Sequence, residues 1–101
     1  MAIQINKPIE TAEGFQVQPF CYLLIQCYNP GFSNCILSYY KDQAAFESGA
    51  QSLNIPSLPS AFNAEITAAE FWGPQLALDY HNKAVAAIEA ITGPNSCSIV
   101  Q

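Results

Sequence analysis

The chain of 101 residues sets eight acidic side chains against three lysines and no arginine, for a net charge of -5, and half of it is apolar while only 11% is charged. A length of this order supports one hydrophobic core and not two, so residues 1–101 are read as a single domain. Lys7, Lys41 and Lys83 are too few and too scattered to neutralise a phosphate backbone, coat an anionic membrane surface or clamp a phosphorylated substrate, which sets aside nucleic acid, membrane and phosphate chemistry.

The charged share lies well below the roughly one quarter usual for soluble domains, which weakens one of the ordinary defences against association. Residues 1–10 lack the basic start and apolar core of a secretory signal. The longest apolar run, Phe20 to Ile25, falls far short of the ~20 residues needed to span a bilayer. Synthesis and retention in a cytoplasm are therefore expected.

In chain order, residues 1–14 alternate Ile3, Ile5 and Ile9 with polar neighbours, and Pro8 interrupts any ladder. That combination predicts an extended N-terminal arm, with packing onto the chain's own sheet as the plain alternative. Residues 15–28 and 35–42 read as two antiparallel strands flanking Asn29, Pro30, Gly31 and Asn34, the central hairpin of the fold. From Phe20 the alternation breaks down. One face would carry Phe20, Tyr22, Leu24 and Tyr28, the other Cys21, Leu23, Ile25 and Cys27, so both sides of the pleat need cover. Either the chain's own helix and a further layer supply it, or another protein chain covers one face.

The four cysteines, Cys21, Cys27, Cys35 and Cys97, match no zinc spacing. Within one strand Cys21 and Cys27 would lie about 20 Å apart, beyond a disulfide. Buried free thiols are expected, with a Cys27–Cys35 bridge across the hairpin as the competitor. Asp42 can cap a single helical turn stopped by Gly49. Pro56 and Pro59 keep residues 50–62 extended, and Thr67 with Glu70 forms a capping-box pattern.

Residues 75–92 form the one long helix, with Pro74 at its start and Gly93-Pro94 at its end. On a wheel of about 100° per residue, Leu76, Tyr80, Ala84, Ala87, Ile88 and Ile91 share a sector of about 120° that should pack on the sheet. Leu78 and Val85 lie beyond its edge with His81 between them, apolar surface left for a helix of another subunit unless a wide core covers it. Asp79 and Lys83 read as an i, i+4 pair, and the tail at Ile99 and Val100 is β-prone. The fold class is α+β, an antiparallel sheet built on the central hairpin and packed against this helix.

The inventory for chemistry is thin. His81 is the sole histidine, and its neighbours Asp79 and Lys83 sit two residues away on a helix, where they point elsewhere. There is no phosphate loop, nucleophile elbow, metalloprotease motif or carboxylate cluster, so no catalytic, cofactor or metal residue is assigned and no cofactor is expected. The interface candidates are Leu78, His81 and Val85 on the helix, Ile3 and Ile5 on the arm, and Tyr22 and Leu24 on the first long strand.

As an arrangement, the apolar arm, the aromatic hairpin, the Tyr-Tyr-Lys-Asp-Gln-Ala-Ala-Phe-Glu-Ser-Gly turn from Tyr39 to Gly49, the Pro-punctuated stretch and the C-terminal helix with its tail resemble small structural proteins of tailed bacteriophages. That resemblance implies a non-enzymatic virion component of a tail, baseplate or neck, or a capsid decoration protein. It would be made in the host cytoplasm and would bind other virion proteins and copies of itself as a homo-oligomer. A different class also fits: a small ligand- or peptide-binding module with Tyr22, Tyr28, Tyr39, Tyr40 and Trp72 lining a groove, although core filling accounts for aromatic residues equally well.

Overall fold

The computed structural model describes residues 1–26 and 30–100. A five-stranded antiparallel sheet contains β1 (Ala2–Ile5), β4 (Phe20–Gln26), β5 (Gly31–Tyr40), β6 (Ala61–Ile66) and β7 (Cys97–Val100), in the order β6-β5-β4-β1-β7. A small second sheet pairs β2 (Ile9–Glu10) with β3 (Gln16–Val17). Helices α1 (Gln43–Glu47), α2 (Ala68–Phe71) and α3 (Leu76–Thr92) complete the described elements. This is the expected α+β fold, with α3 packed on one face of the sheet.

The period-2 rule assigns the two faces. In β5, Ser33, Cys35, Leu37 and Tyr39 are buried while Phe32 and Asn34 are exposed, so odd positions point inward. The register Cys21↔Tyr39, Leu23↔Leu37 and Ile25↔Cys35 places the odd residues of β4 on the same inner face. Tyr22, Leu24 and Gln26 then lie on the outer face. The second strand starts earlier than its sequence suggests: β5 begins at Gly31 by pairing with β6, while its described ladder with β4 closes at Gln26↔Asn34. The first strand is also shorter. Pro19, fully buried, has no N–H to give the ladder and separates β3 from β4, while its carbonyl accepts the Ile5 N–H at 3.0 Å.

Residues 1–14 do not form the expected arm. Ala2–Ile5 is an interior strand, paired with β4 through Ile3↔Cys21 and with β7 through Ile3↔Ile99 and Ile5↔Cys97. Pro8 only ends that strand and lets the chain turn into β2. The β-prone tail thus becomes an edge strand, held beside β1.

Helix α3 closes the inner face. Its buried residues are Tyr80, His81, Ala84, Ile88 and Thr92, whereas Ile91 is 56% exposed. The buried stripe is centred about 40° from the expected one, toward His81 and Val85. Ala84 and Ile88 join Ile3, Ile5, Cys21, Leu37 and Tyr39 in one cluster, which Ile55 and Leu58 of the proline-rich stretch seal. Tyr80 joins Cys35, Ala64 and Ile66 in a second. Each fully buried isoleucine contributes about 1.5–3 kcal/mol.

Local chemistry explains the helix ends. Asp42 Oδ1 accepts the Ala45 N–H at 2.8 Å to start α1, and Gly49 ends it with a φ of 78°, a left-handed conformation that glycine adopts without penalty. Thr67 and Glu70 form the full capping box of α2. Pro74 lies two residues ahead of α3, whose N-cap is Gln75, and Gly93 stops the helix at φ 101°. Lys83 pairs with Glu70 of α2 at 3.2 Å and not with Asp79, so it ties the short helix to the long one.

Candidate functional site

Strand register assembles the outer face of the sheet. Leu24 stands opposite Ile36, Tyr22 opposite Ser38, Phe20 opposite Tyr40 and Gln26 opposite Asn34. One strand further, Ile36 meets Ala61, Asn34 meets Asn63 and Phe32 meets Glu65. Among the outward positions of β4, β5 and β6, Glu65 alone is charged. Leu24 is 56% exposed and Phe32 77%. Two large apolar side chains thus stand in water on one face of the sheet.

Helix α1 reaches across one corner of this face. The Phe46 ring stacks on Tyr22 with centroids 3.8 Å apart, and Tyr40 stands edge-on to both, 5.7 Å from Tyr22 and 5.2 Å from Phe46. The capped turn of α1 holds Phe46 there, and the Tyr40-Lys41-Asp42 link sets its reach.

Beside these rings lies a cleft of about 350 Å³ lined by Met1, Tyr22, Leu23, Leu24, Ser38, Tyr40, Phe46 and His81. Its origin is topological, because β4 runs on past the end of β1 beyond the pair Ile3↔Cys21. His81 is 6% exposed, its Nδ1 lies 2.7 Å from the Ala77 carbonyl oxygen, and its buried Nε2 has no hydrogen-bond partner among the described residues.

The interface candidates therefore divide. Tyr22 and Leu24 occupy the outer face as required. Ile3 and Ile5 are fully buried in the chain's own core and offer no surface. Val85 packs against that core and Leu78 is half-buried, so the leftover helix stripe is largely the side that faces the sheet. His81 forms a cleft wall and not an exposed helix contact. The five-aromatic groove does not form as drawn: Tyr39 points inward, its hydroxyl donating to the Pro59 carbonyl, and Trp72 is 79% exposed beside Phe71. Tyr28 lies outside the described residues. Phe32, Ile36 and Phe46 were missed, although alternation along residues 31–40 already puts the first two on the face away from Leu37 and Tyr39.

Cys21 and Cys97 sit in surroundings that disfavour the thiolate. Burial pushes the Cys21 thiol up to about 12, and burial raises Cys97 as well, so neither is a thiolate near neutrality. Cys21 and Cys97 are free, and Cys27 of the alternative bridge lies outside the described residues. Among the described residues no group of three His, Cys, Asp or Glu side chains could hold a metal ion, and no helix is long and apolar enough to cross a membrane. No family model, curated protein or solved structure matches the chain.

Proposed function

We propose that this protein is a non-enzymatic assembly subunit that binds neighbouring protein chains through the outer face of its sheet. The observation that carries the reading is the almost uncharged outer face with Leu24 and Phe32 exposed and Ile36 half-buried, where α1 meets the corner at Tyr22 and Tyr40. Interface cores are apolar, aromatic and poor in charge, as this surface is. The low overall charge supports the same reading, because it supplies little repulsion between copies. The resemblance to tailed-phage structural proteins suggests the setting, a tail, baseplate or neck, with capsid decoration as the variant.

Light scattering at tens of micromolar, with and without Leu24→Asp and Ile36→Asp, tests the proposal. The wild type forms a discrete oligomer or polymerises, and each variant keeps its circular dichroism yet associates at least tenfold more weakly. A wild type that stays monomeric at every concentration, or variants that associate as well as it does, would overturn the outer face as the interface.

A further inference from the structure

We propose that the cleft at His81 is a binding site for a small uncharged aromatic molecule carrying one O–H or N–H donor, of the phenol or indole class. The chemistry follows from the imidazole. The Ala77 carbonyl oxygen can only accept, so the Nδ1 that lies 2.7 Å from it carries the proton, and in the neutral ring Nε2 is left as a bare acceptor. That acceptor is buried without a partner among the described residues, on a side chain that lines the cleft. Buried polar atoms are nearly always satisfied, and one that is not marks a place where a donor belongs.

The remaining walls select the body of the molecule. Tyr22, Tyr40 and Phe46 present ring faces and edges, Leu23 and Leu24 add aliphatic surface, and none of the lining side chains is charged. No lining side chain supplies a counter-charge for a charged ligand, whereas an aromatic ring gains offset or edge contacts. The volume of about 350 Å³ is at the low end of ligand pockets, which suits one or two rings. The cleft shares Tyr22 and Leu24 with the outer face, but the acceptor it offers belongs to His81, which the assembly reading does not use.

The test compares phenol with anisole, which has a similar body and no donor, and with indole, using the full chain labelled with ¹⁵N at histidine. Phenol and indole should bind saturably and shift the His81 Nε2 resonance, while anisole binds about tenfold more weakly. His81→Phe should bring phenol and anisole to the same affinity. Three results would overturn the proposal: phenol and anisole binding alike to the wild type, no saturable binding of any probe up to its solubility, or probe binding that leaves Nε2 unshifted. The resonance is read on the wild type, so the test does not depend on the variant folding. Light scattering on the same samples separates loss of this site from loss of assembly.

Discussion

The hydroxyls of Ser33 and Tyr80 lie 2.5 Å apart, both buried, and join β5 to the second turn of α3. Replacing Tyr80→Phe or Ser33→Ala breaks this buried hydrogen bond from one side or the other. Each single change should cost about 1–3 kcal/mol, since the bond is broken inside the core. The double variant removes both groups, so it should lose about 1–2 kcal/mol less than the sum of the two singles. Tyr80's other interactions are present in both halves of the cycle and largely cancel. Urea unfolding followed by circular dichroism gives the free energies. With a slope of about 1–3 kcal/mol per molar, each single moves the midpoint by roughly 0.3–3 M. All four proteins need the same concentration, because association would add its own stabilisation. Additivity within about 0.5 kcal/mol would show the hydroxyls uncoupled and would refute the docking of α3 against β5 in this register.

Two further outcomes test the core. Burial holds the Cys21 thiol up to about 12 in the folded chain against an ordinary value of 9.0, so the unfolded state releases this proton first as pH rises. The stability it supports is complete below pH 9 and falls away between about 9 and 12, by roughly 1.4 kcal/mol at pH 10 on an order-of-magnitude reckoning. Cys21→Ala should flatten the alkaline slope of urea midpoints by close to one proton, and an unchanged slope would show the thiol to be accessible. On the helix, Ile88→Ala should cost about 2–5 kcal/mol and Ile91→Ala within about 0.5 kcal/mol. Equal costs would return the buried stripe to its sequence-predicted position.

Much of the fold was legible because it rests on local chemistry. The Asp42 cap with its Gly49 stop, the capping box at Thr67 and Glu70, the Gly93-Pro94 terminus and the β-prone tail each involve residues within a few positions of one another. The errors have one origin in common. Ile3 and Ile5 alternate as an edge strand or an arm would, and nothing within fourteen residues reveals that Cys21 and Ile99 close over them on either side. The helix stripe was placed by counting every apolar residue equally, whereas Ile91 remains in solvent at 56% exposure while His81 and Thr92 are taken inside. Strand β6 was not anticipated beyond the extended stretch, although Phe62, Ala64 and Ile66 alternate with Asn63 and Glu65.

By itself the sequence determined the hairpin, the long helix, the shortage of charge and the presence of apolar surface on both sides of the strand after Pro19. Those follow from periodicity, capping and composition, which act between near neighbours. Only the tertiary structure decided which of the two apolar faces α3 would cover, and therefore that Cys21 and Ile25 turn inward while Leu24 and Ile36 face out. It also decided that His81 would meet Met1 and Tyr22 in a cleft. A strand of period 2 offers its faces equally, and the choice between them falls to the partner that arrives from a distant part of the chain.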